Sequence, residues 1–61
     1  MIKIHQHTHG YQYWYDRTTR SWWGAKFRRE GGRQLTPALY AFTKDEIIQL
    51  MNEEIEDAKN A

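Results

Sequence analysis

The chain has 61 residues, of which 39% are hydrophobic, 15% aromatic and 28% charged, with nine basic against eight acidic side chains and no cysteine. At 7.4 kDa the expectation is one small domain over 1–61, exposing about 4,200 Å² folded against about 10,700 Å² unfolded. Disulfides, thiolate metal centres and thiol catalysis are excluded, so stability must come from an aromatic core, a partner or a second copy. No apolar run approaches the ~18 residues of a membrane span, and no charged start leads into an apolar stretch. The chain therefore reads as a cytoplasmic protein without a membrane partner.

The first half predicts strands, from about 2 to 42. Ile2, Ile4, the Tyr11-Gln12-Tyr13-Trp14-Tyr15 run and Trp22-Trp23-Gly24-Ala25-Lys26-Phe27 are rich in β-branched and aromatic residues. Asp16-Arg17-Thr18-Thr19-Arg20-Ser21 supplies turn chemistry, and Glu30-Gly31-Gly32-Arg33 offers glycines where a hairpin needs positive φ. Pro37 cannot donate to a ladder, so the strand over about 35–42 belongs at an edge or is interrupted there.

The second half predicts one helix, about 44–58. Thr43-Lys44-Asp45-Glu46 matches a capping box, and the two acids favour the positive end of the helix dipole. At 100° per residue Ile47, Ile48, Met51, Ile55 and Ala58 fall on one stripe, with Leu50 at its margin. Charge divides the same way. Residues 1–34 carry seven basic and two acidic side chains, and residues 35–61 carry two basic and six acidic.

Hairpin register sorts the faces. Pairing Asp16 with Ser21 sets Trp14 opposite Trp23, Gln12 opposite Ala25 and Tyr15 opposite Trp22. Pairing Glu30 with Arg33 sets Phe27 opposite Thr36, Ala25 opposite Ala38 and Trp23 opposite Tyr40. One face then holds Trp14, Trp23, Ala25, Phe27, Ala38, Tyr40 and Phe42, and it is assigned to the helix. The other collects Tyr11, Tyr13, Tyr15, Trp22, Leu35 and Leu39 with Lys26 and Arg28. One helix covers one face, so the uncovered aromatic residues are either a binding surface or a solvated row of amphipathic tyrosines. The first reading assigns partner binding to Tyr11, Tyr13, Tyr15, Trp22, Leu35 and Leu39.

His5, His7 and His9 alternate and would share one side of a strand, but three successive same-face positions span too far for tidy tetrahedral zinc. No metal or other cofactor is expected. Ser21 is the only serine and falls in a turn, and no glycine-rich phosphate loop precedes a helix, so no catalytic residue is assigned. Arg17, Arg20, Trp22, Lys26 and Arg28 combine charge for phosphates with a ring for stacking, the ingredients of a nucleic-acid surface. A sequence pI of about 8.1 falls below the usual range of such domains, above roughly 9.

From Tyr13 to Trp23 the pattern Tyr-x-Tyr-Asp-Arg-Thr-Thr-Arg-x-Trp resembles one hairpin of a WW domain, whose aromatic groove takes proline-rich peptides. That family's first tryptophan and closing proline have no counterpart at the expected places. Over Tyr11 to Glu56 the order strand, turn, Trp-containing strand, glycine turn, strand and Phe42-Thr43-Lys44-Asp45-Glu46 helix start is similar to the three-stranded-sheet DNA-binding domains of phage integrase arms and plant ethylene-response factors. That resemblance implies a sheet in the major groove, read by Arg17, Arg20, Trp22, Lys26 and Arg28. Here the third strand has no basic residue after Arg33 and contains Pro37. In length, aromatic density and lack of cysteine the chain also resembles short bacteriophage accessory proteins that bind a host component, which would place it in the host cytoplasm.

The reading is an α+β fold, an antiparallel sheet of three or four strands with one C-terminal amphipathic helix on one face. The expected function is a non-enzymatic module that binds a host protein or itself, as a homo-oligomer. DNA or RNA binding is the alternative.

Overall fold

Alternating aromatic residues put one set of rings on each side of a strand, and the two richest such segments form the centre of the sheet. The computed structural model describes residues 2–60. Its elements are β1 (Ile4–Gln6), a 3-10 turn (Thr8–Gly10), β2 (Tyr11–Asp16), β3 (Ser21–Lys26), β4 (Leu39–Ala41) and α1 (Lys44–Lys59). The four strands make one antiparallel sheet in the order β1-β2-β3-β4, and α1 packs on it, an α+β fold. The N-terminal segment joins the sheet as an edge strand.

The β2–β3 hairpin has the expected register, with Asp16 opposite Ser21, Trp14 opposite Trp23 and Gln12 opposite Ala25. Its turn is held by the Asp16 carboxylate, which accepts from the Thr18 amide at 2.8 Å. Arg20 completes the reversal in the left-handed region, at φ 54°.

The second hairpin corrects the expected pairing. Phe27 lies opposite Gln34 instead of Thr36, while Trp23 does face Tyr40. Between these two pairs the second strand of the hairpin has two more residues than β3. The Arg28 amide donates to the Arg33 carbonyl at 2.6 Å around Gly31 and Gly32, both at positive φ. The surplus is absorbed around Pro37, which has no amide proton to give a ladder. There the Thr36 hydroxyl, in place of a backbone carbonyl, accepts from the Lys26 amide at 3.0 Å. An even surplus preserves which side chains of β4 point to which face.

The larger correction concerns the covered face. α1 lies on the tyrosine side: Tyr11, Tyr13, Ala41, Ile47, Met51 and Ile55 form the buried core, with Trp22, Leu39, Ile48 and Leu50 packed against it. Small residues decide this. Gly24 and Ala41 leave a shallow floor on that side, and a Cβ on Gly24 would stand 3.0 Å from Met51 Sδ and 3.3 Å from Ile47 Cγ1. The neighbouring residues Trp23 and Tyr40 raise the opposite face. The helix begins as expected, with the Thr43 hydroxyl accepting from the Glu46 amide at 3.2 Å. Replacing Gly24→Val should destabilise the fold by about 1–3 kcal/mol through overpacking, measured as a lower urea midpoint at unchanged m-value; an unchanged midpoint would mean that α1 does not sit on Gly24.

Candidate functional site

With α1 on the tyrosine side, the other side of the sheet is uncovered. Ile4 pairs with Trp14, Trp14 with Trp23, and Trp23 with Tyr40, so four large apolar side chains stand in one row across all four strands. The rings reinforce one another. Trp23 and Tyr40 centroids are 5.4 Å apart, Tyr40 meets Phe42 edge-on at 6.4 Å, and Trp14 meets Phe27 at 6.1 Å. Trp23 is further held by its indole N–H, which donates to the Thr19 hydroxyl at 3.0 Å. The row stays open to solvent at its ends: Ile4 is 53%, Tyr40 57% and Phe42 73% exposed.

The row itself is free of charge, and towards Phe27 and Gly32 the face runs into a basic hollow that includes Lys26, Arg28 and Arg29. Beside the row lie Gln6, Gln12 and Ala25, and Asp16 sits at the turn with its carboxylate engaged by Thr18. From β1 across β2 to the second hairpin the surface sinks into an open hollow of about 430 Å³, lined by Ile2, Ile4, Gln12, Trp14, Phe27, Gly32 and Gln34.

The partner-binding residues expected from the sequence lie elsewhere. Tyr11 and Tyr13 are buried beneath α1, Leu39 is half-buried against the same core, and Trp22 is half-buried among His5, Tyr13 and Tyr15. Tyr15 and Leu35 are exposed, but at separate places on the rim of the covered side. The residues that do form an open patch, Ile4, Trp14, Trp23, Tyr40 and Phe42, were either assigned to the core or given no role. The signal that identifies them is Gly24, because a glycine within a strand marks the side where another element comes close.

The basic residues are split as well. Arg17 and Arg20 occupy the β2–β3 turn, whereas Lys26, Arg28 and Arg29 line a hollow of about 690 Å³ with His7 and His9 at the other end of β3. A six-residue strand separates the two groups by about 20 Å. Trp22 points to the helix side between them.

His5 and His7 do fall on one side, both against the Tyr13 ring on the helix side, and only His9 departs from it. His5 stacks on Tyr13 at 4.9 Å with planes 14° apart, and His7 Nε2 lies 2.7 Å from Asn52 Oδ1 on α1. His9 sits in the 3-10 turn at φ 61°. Among the described residues no three His, Cys, Asp or Glu side chains are grouped to hold a metal ion. Ser21 opens β3, and its hydroxyl donates to the Thr19 carbonyl at 2.9 Å. Among the described residues no helix is long and apolar enough to cross a membrane.

Comparison with protein-family models, curated proteins and solved structures finds no match to the chain. Neither the DNA-binding-domain resemblance nor the bacteriophage one thus has a matching relative behind it.

On the covered side one group titrates abnormally. Tyr11 is raised above its ordinary 10.0, first by burial and then by the neighbouring Glu54 carboxylate. An acid whose folded pKa exceeds its unfolded value contributes stability that is complete below the unfolded pKa and is lost as pH rises through the folded one. Urea unfolding should therefore show stability falling above pH 10.0, with a flatter decline in Tyr11→Phe; equal slopes would remove the Tyr11–Glu54 interaction.

Proposed function

We propose that the chain is a small non-catalytic interaction module, using no cofactor, whose working surface is the uncovered sheet face and whose partner is a protein. The observation that carries this reading is the uncharged row Ile4, Trp14, Trp23 and Tyr40 spanning the sheet. Interface centres are depleted of charge and enriched in tryptophan and tyrosine, and those two residue types dominate binding hot spots. A contiguous apolar patch left in water is otherwise an aggregation liability.

Surface area supports the same reading. The chain exposes 4937 Å², about 700 Å² more than its mass calls for. The radius of gyration, 11.4 Å, is likewise above the roughly 10.5 Å expected at this length.

Nucleic-acid binding is a second reading, favoured by the hollow that gathers His7, His9, Lys26, Arg28 and Arg29. The two readings separate by mutation. A Trp23→Ser/Tyr40→Ser variant should keep its far-UV spectrum, since neither ring belongs to the helix-side core, and should lose at least tenfold in association with protein. A variant neutralising Arg17 and Arg20 should associate as the unmodified chain does. The reverse pattern, with steep salt dependence of binding to duplex DNA, would replace protein binding by the second reading.

A further inference from the structure

The uncovered face changes its chemistry along the strands. It begins with Asp16 at the β2–β3 turn, continues through the apolar row of Ile4, Trp14 and Trp23, and then reaches the level of Gln6, Gln12 and Ala25. The level after that holds Phe27 opposite Gln34. The Phe27 amide donates to Gly10, four β2 positions from Trp14, yet the Phe27 ring leans back to within 6.1 Å of the Trp14 ring. Beside these two rings and Ile4 lies the apolar hollow of about 430 Å³. Beyond Phe27 opens the second hollow, of about 690 Å³, to which Lys26, Arg28 and Arg29 contribute. Gln12, Phe27 and Gly32 line both, so the two hollows form one continuous groove, apolar at one end and basic at the other.

Charge says what the groove takes. Among the described residues no aspartate or glutamate lines either hollow. The stretch 26–33 carries four basic side chains against the one acid Glu30, which lies out in the hairpin turn. We propose that the partner of this face docks through an extended acidic segment, one large apolar side chain of which seats among Ile4, Trp14 and Phe27 while its neighbouring carboxylates reach Lys26, Arg28 and Arg29. Guanidinium groups suit that role because each can hold a carboxylate through two parallel hydrogen bonds. The proposal rests on the reading of this face as a protein-binding surface and names the chemistry of the occupant.

The register of the sheet sets the spacing within that segment. An apolar side chain at the level of Gln12 stands two strand positions, about 7 Å, from the level of Phe27, where the cations begin. At ~3.3 Å per residue of extended chain, the first carboxylate therefore lies two to four residues from the apolar one. The segment has one orientation, because carboxylates at the opposite end of the face would meet Asp16. A nucleic-acid strand fits the groove less well. It carries a phosphate at every nucleotide, whereas the cations stand at one end only, so the remaining phosphates would lie over Ile4 and Trp14 and approach Asp16.

The test titrates the purified chain with synthetic peptides, followed by amide and indole NMR shifts. Each peptide has one tryptophan separated by two serines from three consecutive glutamates, with the glutamates after the tryptophan in one and before it in the other. One of the two should bind saturably and move the Trp14 indole and the Phe27 and Arg28 amides, leaving the Trp22 indole on the helix side in place. Arg28→Glu/Arg29→Glu should keep the far-UV spectrum, weaken that peptide about tenfold, and gain binding to its counterpart with lysines for glutamates. Ile4→Glu should weaken the peptide as well, and a peptide with serine for tryptophan should bind the unmodified chain more weakly. The proposal is overturned if neither peptide binds, if Arg28→Glu/Arg29→Glu makes no difference, or if the peptide without tryptophan binds equally well, which would mark a plain anion site. Tighter binding of a mixed-sequence single-stranded oligonucleotide through the same residues overturns it too. If the peptides fail yet Trp23→Ser/Tyr40→Ser still abolishes binding to a defined protein, the acidic segment fails and the protein-binding reading stands. If that variant changes no association at all, both fail.

Discussion

The approach of Met51 and Ile47 to Gly24 decides the rest of the molecule. A single helix can cover one side of a four-stranded sheet, and both sides here carry large rings, so hydrophobicity alone does not choose between them. Depth does. Gly24 and Ala41 let two fully buried helix side chains come down to the β3 backbone, while the other side has Trp23 and Tyr40 at the neighbouring positions. Close packing is worth most where side chains reach the backbone beneath them, and on the tyrosine side Ile47 and Met51 do so at Gly24.

Once that side is chosen, the aromatic residues divide by role. Tyr11 and Tyr13 become core, their apolar bodies under the helix and the Tyr11 hydroxyl turned toward Glu54. His5 and His7 become part of the same packing, through the Tyr13 ring and Asn52. Trp14, Trp23, Tyr40 and Phe42 are left on the uncovered side, the two tryptophans half-buried and Tyr40 and Phe42 exposed. A domain this small buries only about 60% of its unfolded surface, and covering the second face would add burial where the isolated chain has least. On the proposed reading stability and binding are coupled, because the rings offered to a partner are the ones whose exposure costs the free chain.

Much of the architecture was legible in the sequence because it depends on local chemistry. Alternation in Tyr11 to Tyr15, the Asp16 turn and the Thr43 cap each specify structure within a few residues, and the β2–β3 register and the helix follow. Two features escaped. The displaced pairing at Phe27 arises because the Thr36 hydroxyl takes the Lys26 amide beside Pro37, a contact ten residues apart that no pattern announces. The covered face was misassigned because both sides carry large rings and offer no choice by hydrophobicity, whereas packing depended on the smallest residue, Gly24. The expected surface therefore fell on Tyr11, Tyr13, Trp22 and Leu39, and the open row was placed in the core.

The central claim is that α1 rests on Gly24 and the tyrosines and leaves the tryptophan row uncovered. Nuclear Overhauser contacts from the Met51 methyl group test it most directly. The account predicts cross-peaks from that methyl to the Gly24 α-protons and none to the indole protons of Trp14 or Trp23. Contacts from Met51 or Ile47 to either indole would place the helix on the other face and contradict it.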